Sequence, residues 1–221
     1  MHDAIAIDGP AASGKSTVAR ELAARLGLIM VNSGEMYRAV TLEVVRRGLD
    51  PDDPKAIVSL LDHLDLSCAV EEGNSVVMLN GEHPGEALRS DRVNAAVSQV
   101  AAVPEVRELL VARQRELLEI GDLVMEGRDI GSVVFPDTPY KIYIDASEEV
   151  RRLRRAAEGL VDEVASRDRQ DSSRQTSPLV IPEGAEIIDS SKMEIEEVVE
   201  AALEVLRARG WFEREPESAA P

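Results

Sequence analysis

The chain has 221 residues and a formal net charge of −17, from 25 Lys and Arg against 42 Asp and Glu. That balance argues against a nucleic-acid-binding face, which needs clustered positive charge to neutralise phosphates. A lone cysteine, Cys68, excludes an internal disulfide and reads as a packed thiol, and the scattered histidines His2, His63 and His83 match no metal-ligand spacing.

Ala4 to Asp8 is short, apolar and partly β-branched, and predicts a buried strand. Gly9-Pro10-Ala11-Ala12-Ser13-Gly14-Lys15-Ser16 follows it and fits the phosphate-loop pattern. Ser16 to Leu26 carries Val18, Leu22, Ala23 and Leu26 at helical spacing, and Gly27 stops it. Strand, loop and helix are the context that this motif requires. The glycines let backbone N–H groups curl around one anion, and the helix aims its positive end at the same point. Lys15 brings a charge that can reach the β- and γ-phosphates, and the Ser16 hydroxyl suits Mg²⁺. The residues expected to hold ATP are therefore Gly9, Pro10, Ala11, Ala12, Ser13, Gly14, Lys15 and Ser16, with Thr17 next on the helix.

Leu28 to Val31 reads as a second strand, and Asn32-Ser33 as the N-cap of a helix over Met36 to Arg47. After a turn-rich connector, Ala56 to Leu64 is a short helix. Ser67 to Val70, Ser75 to Leu79 and the segment after Asn80-Gly81 predict a small antiparallel unit, inserted at about residues 66–90. Asp91 to Ala102 and Pro104 to Ile120 return to helix. Strands are expected at Leu123 to Glu126, Lys141 to Asp145 and Ala185 to Asp189. A basic helix begins near Ser147, a polar arginine-bearing stretch covers 158–178, and Met193 to Arg209 closes the fold.

The alternation predicts an α/β fold, with a five-stranded parallel sheet covered by helices on both faces. Ligands in such sheets lie beyond the carboxyl ends of the strands, so Gly9 to Ser16, Ser33, Glu126 to Asp129 and Asp189 should gather at one rim. Arginine supplies nearly all the positive charge, and arginines recur in Ser33 to Arg38, Glu126 to Asp129 and Arg167 to Arg174. Their planar forks suit phosphate oxygens, which points to a second phosphate compound held opposite a nucleoside triphosphate. With no apolar run near the ~20 residues that span a bilayer and no leader sequence, the expectation is a soluble, cytoplasmic protein with no membrane partner.

These stretches together resemble the bacterial cytidylate kinases, within the nucleoside monophosphate kinases. The resemblance is carried by the phosphate loop, Ser33-Gly34 with Tyr37-Arg38, Ser98 to Ala102 with Pro104 and Arg107, Gly127-Arg128-Asp129-Ile130-Gly131 with Val133 to Asp137, and Arg167-Asp168 with Asp171 and Arg174. It implies transfer of a phosphoryl group from ATP, with Mg²⁺, to CMP or dCMP by a monomer. It also implies that Arg38, Arg128 and Arg174 hold the CMP phosphate with Ser33 and Tyr37, that Ser98, Arg107 and Asp129 read cytosine, and that Arg167 and Asp171 hold ribose. Arg151, Arg154 and Arg155 fall where lid arginines clamp the triphosphate, and Glu126 could accept from a water on Mg²⁺. The lid is shorter than in longer members, and Arg169-Gln170 departs from the common Asp-Arg pair.

On this reading residues 1–212 form one kinase domain, with its core in 1–32, 121–150 and 185–212. The monophosphate region covers about 33–120 with the β insertion, the lid about 151–170, and 213–221 is a disordered acidic tail. A P-loop kinase for another monophosphate, or for a metabolite such as shikimate, shares much of this pattern. A GTPase switch does not, because Asp-x-x-Gly and Asn-Lys-x-Asp are both missing.

Overall fold

The computed structural model describes residues 2–157, 164–174 and 176–213, without the side chains of 164–167. Seven strands form one sheet: β1 (Ala4–Asp8), β2 (Ile29–Asn32), β3 (Leu66–Glu71), β4 (Asn74–Leu79), β5 (Leu123–Gly127), β6 (Lys141–Asp145) and β7 (Glu186–Asp189), in the order β3-β4-β2-β5-β1-β6-β7. The five strands from β2 to β7 in that order run parallel. The helices are α1 (Lys15–Leu26), α2 (Ser33–Arg46), α3 (Pro54–Leu61), α4 (Asp91–Val100), α5 (Pro104–Glu116), α6 (Glu148–Ala157), α7 (Val164–Ser173) and α8 (Ile195–Ala208).

The pleat divides the core into two layers. On β1, Ile5 and Ile7 pack with α1 and α8, whereas Ala4 and Ala6 face α2, α4 and α5. Every residue of β1 is buried, as expected of a central parallel strand covered on both sides. Trp211 closes the α8 side against Tyr140, edge to face, with ring centroids 4.7 Å apart.

The β insertion differs from its expectation in two ways. β3 and β4 form a full antiparallel hairpin, but the segment after Asn80-Gly81 makes only the bridge Leu79–Glu82 before a 3₁₀ turn over Gly85–Arg89. The hairpin also joins the main sheet, through Met30 opposite Asn74 in β2 and β4. At the other end of the chain, Glu213 belongs to a 3₁₀ turn, Trp211–Glu213, and its N–H reaches the Gly210 carbonyl at 3.1 Å. Glu213, placed in the expected tail, thus belongs to this turn, and 214–221 lie outside the described residues.

Candidate active site

Parallel register gathers the strand ends. Asp8 pairs with Gly127, Asn32 with Glu126, and Asp8 with Tyr143, so the segments after β1, β2 and β5 leave the sheet at one edge. They line a cleft of about 600 Å³. Its walls include Ala11, Ala12, Gly14, Lys15, Ser16 and Thr17 on one side and Ser33, Tyr37, Arg38, Ser98, Arg107, Arg128, Asp129, Asp171 and Arg174 on the other, with Glu126 and Arg155.

The phosphate loop needs its first glycine. Gly9 has φ +155°, and a Cβ there would lie 2.1 Å from the Ile144 carbonyl oxygen, a backbone atom that cannot yield. Ala12 takes φ 59°, left-handed backbone held by the loop around it. Inside the loop the Lys15 ammonium donates to the Pro10 carbonyl at 3.1 Å and lies 3.9 Å from Glu126 Oε2. Burial lowers its pKa to about 8, with Arg128 adding to the effect while Glu126, Asp171 and Asp8 oppose it. The Ser16 hydroxyl donates to Glu126 Oε1 at 2.7 Å. A hydroxyl and a carboxylate side by side at the mouth of a phosphate loop are hard oxygen donors, and they suit Mg²⁺ shared with a phosphate.

Opposite the loop stands a turn that the sequence motif did not explain. Asp8 is fully buried, and its carboxylate accepts from the N–H groups of Ile130 and Gly131, both at 2.7 Å. This pins a π-type turn, Ile130–Val134, just after Arg128-Asp129. Arg115 from α5 holds the far end through the Val133 and Val134 carbonyls, at 2.8 and 2.9 Å. Burial pushes the Asp8 pKa up to about 6, because the two N–H bonds offset only part of the lost hydration.

Two buried ion-paired groups follow from that turn. Arg107, only 2% exposed, pairs with Asp129, donates to the Ala101 carbonyl at 3.0 Å and lies over the Tyr37 ring, 5.1 Å from its centroid. Burial beside Asp129 pushes the Tyr37 hydroxyl up to about 12. Separately, Asp171 accepts from Arg128 Nε at 2.8 Å and from Arg174. Arg38 donates to the Leu88 carbonyl at 3.1 Å and to Asn94 Oδ1 at 2.7 Å. The cleft thus presents arginines on one wall and a loop of backbone donors on the other.

A sequence model of the cytidylate kinase family matches residues 5–208. The chain belongs to the cytidylate kinase family. It is 47% identical to a cytidylate kinase of Pelotomaculum thermopropionicum, over 88% of this chain and 92% of that one. It is 44% identical to those of Caldanaerobacter subterraneus and Rhodococcus opacus, over 92% and 93% of this chain and 94% and 95% of theirs. A sugar kinase from a Janibacter species shares the fold alone, at 13% identity and a TM-score of 0.51 over 94% of this chain and 95% of that one.

Several expected site residues of this family member lie elsewhere than anticipated. Arg154 does not line the cleft; it donates to the carbonyls of Ser13 and Ser190 and to the Ser190 hydroxyl, at 2.9 to 3.1 Å. Asp189 is also absent from the rim, because its carboxylate caps the turn Ser190–Lys192. The next residue, Ser190, is buried and donates to the Ser13 carbonyl at 2.9 Å. Of the expected N-cap Asn32-Ser33, Asn32 holds the cap position of α2, while Ser33 starts the helix, lines the cleft as expected and donates to the Glu126 carbonyl at 2.8 Å. The Arg167 side chain lies outside the described residues, as do residues 158–163 of the expected lid. Asn94, Arg89, Glu35 and Arg20 line the cleft without having been expected there. Asn94 had a sequence signal, since Asn94, Ser98 and Ala101 fall on one face of α4.

Proposed function

We propose that this protein transfers the γ-phosphoryl group of ATP to CMP and dCMP, giving ADP with CDP or dCDP. The observation that carries the reading is the buried Arg107–Asp129 pair, set beside Arg128 and Arg174 and facing the phosphate loop. Cytosine presents an amino donor next to a ring acceptor. A carboxylate accepts from the first and a guanidinium donates to the second, so Asp129 and Arg107 read that edge, with Ser98 on the adjoining helix face. Uracil presents a carbonyl oxygen where cytosine has its amino group, so it would set one acceptor against another at Asp129, which costs recognition.

The remaining roles are those that the family resemblance implies. The loop from Gly9 to Ser16, with Thr17, holds the triphosphate, and Lys15 neutralises its outer phosphates. Arg38, Arg128 and Arg174 hold the CMP phosphate with Ser33 and Tyr37, and Asp171 and Arg167 take the ribose hydroxyls. An oxygen of that phosphate attacks the γ-phosphorus in line, the bond to the ADP oxygen breaks, and no covalent protein intermediate forms. Positioning and charge neutralisation supply the catalysis, with Arg155 as the lid arginine at the cleft. Ser16, and Glu126 through a water, would hold Mg²⁺, which would supply positive charge to offset that of the transferring group.

In this scheme residues 33–120 form the monophosphate region and about 151–170 the lid of a single monomeric kinase domain in the cytoplasm. No helix among the described residues is long and apolar enough to cross a membrane. A coupled assay of ADP formation across the nucleoside monophosphates tests the activity. CMP and dCMP should lead, UMP should react weakly, and AMP and GMP should stay near background. Turnover indifferent to CMP, or a strong preference for another acceptor, overturns the reading.

A further inference from the structure

Helix α7 touches both halves of the cleft. Its Asp168 carboxylate accepts from the Ala11 N–H of the phosphate loop at 3.3 Å and pairs with Arg151 of α6. One helical turn further on, about 4.5 Å along the axis, Asp171 pairs with Arg128 and Arg174. Residues at this spacing share a helix face, so a single rigid element carries both contacts.

Arg151 is committed to the same junction. Its guanidinium donates to the Ala146 carbonyl at 2.9 Å and to the Ala11 carbonyl at 3.3 Å, besides pairing with Asp168. Ala11 is therefore held through both its N–H and its C=O. The two charged side chains are only 10% and 18% exposed, too sheltered for salt to screen the pair away. The guanidinium is thus occupied by backbone and carboxylate, rather than standing ready for a triphosphate as the lid pattern implied.

We propose that the Arg151–Asp168 pair is a latch that fixes α7 to the phosphate loop and so couples the ATP site to the CMP site. This rests on the activity proposed above. Asp168 is a positioning residue: it is not among the residues lining the cleft, but it sets where the loop stands relative to the helix that bears Asp171 and leads into Arg174. Filling the loop orders Ala11, Ala11 orders α7, and α7 presents the arginines that hold the acceptor phosphate. By linkage the effect runs equally in reverse.

The test is calorimetric titration of CMP, with and without a saturating non-hydrolysable ATP analogue and Mg²⁺. In the unaltered protein the analogue should tighten CMP about tenfold, within the usual range for coupled sites. In Asp168→Asn and in Arg151→Met the gain should fall below about twofold, and the double variant should lose no more than either single one. Asp168→Glu should recover part of the gain. Thermal unfolding checks that each variant folds; if Arg151→Met does not, Asp168→Asn and Asp168→Glu decide the matter. A gain retained in Asp168→Asn, or no gain in the unaltered protein, overturns the latch. Failure of the unaltered protein to bind CMP at all overturns the proposed activity instead.

Discussion

The Ser16 hydroxyl lies 2.7 Å from Oε1 of Glu126, although the two residues are 110 positions apart. The contact brings the helix after the phosphate loop against the end of β5, and it sets the hydroxyl and the carboxylate side by side where Mg²⁺ is proposed to bind, Glu126 acting through a water. Glu126→Ala should raise the Mg²⁺ concentration needed for half-maximal rate by roughly 10- to 100-fold, the usual cost of losing an outer-shell partner. Glu126→Gln should fall between. Initial rates across an Mg²⁺ series check this, and an unchanged Mg²⁺ requirement would remove Glu126 from the metal site.

Arg107 and Asp129 should prove costly to separate. Asp129→Asn leaves a guanidinium buried without its counter-charge, and breaking such a pair costs about 3–5 kcal/mol. The variant should unfold at a visibly lower temperature and lose most of its preference for CMP over UMP. Asp129→Glu should keep the charge and part of the preference. Thermal unfolding and kcat/KM for both monophosphates are the measurements. A stable variant with CMP preference intact would move base reading away from this pair.

Asp8 and Lys15 set a pH window. Ionised Asp8 accepts both N–H groups of the turn after Arg128-Asp129, and acidification through about 6 protonates it and loosens that turn. Lys15 loses its proton above about 8 in the empty site and then no longer neutralises the entering phosphates. The profile of kcat/KM for ATP, which reports the free enzyme, should be bell-shaped with limbs near those values. Asp8→Asn should flatten the acid limb. Stability should run differently. Between 3.8 and about 6 the folded chain keeps a proton on Asp8 that the unfolded chain has released, so stability falls as pH rises there. Between about 8 and 10.5 the unfolded chain keeps the Lys15 proton that the folded chain has lost, so stability rises with pH. Denaturant midpoints at spaced pH values separate the two effects.

The adjacent arginines Arg154 and Arg155 should behave differently. Arg154 ties the Ser13 carbonyl to Ser190, so Arg154→Ala should chiefly raise KM for ATP by loosening the loop. Arg155 lines the cleft, and Arg155→Ala should chiefly lower kcat, by roughly 10²- to 10³-fold if it stabilises the transferring group. Steady-state kinetics with ATP varied at saturating CMP distinguish the two. Equal effects on KM and kcat in both variants would contradict this division.

Much of the architecture was legible from local pattern. The strand, glycine loop and helix over 4–26, the buried apolar runs at β5 and β6, and the clusters around Arg38, Arg128 and Arg174 all lie in short stretches whose chemistry is readable residue by residue. Gly9 was legible as part of the phosphate-loop motif, but the Ile144 carbonyl that excludes a Cβ there belongs to β6 and came only with the fold. The antiparallel hairpin was visible from its turns, but its seat beside β2 was not, because a single pairing of Met30 with Asn74 leaves no period in the sequence.

The sequence alone determined the phosphate loop, the alternating α/β order and the supply of arginines, because each is written in neighbouring residues. The tertiary structure alone decided how those arginines are used. Asp8 meets Ile130 across 122 positions, Asp168 meets Ala11 across 157, and Ser190 meets Ser13 across 177. Such contacts depend on which strands pair and in what register, and that is fixed by burying the whole sheet at once. For this reason Arg151 and Arg154, which the sequence presents as equivalents of Arg155, turn to hold the loop while Arg155 alone of the three faces the cleft.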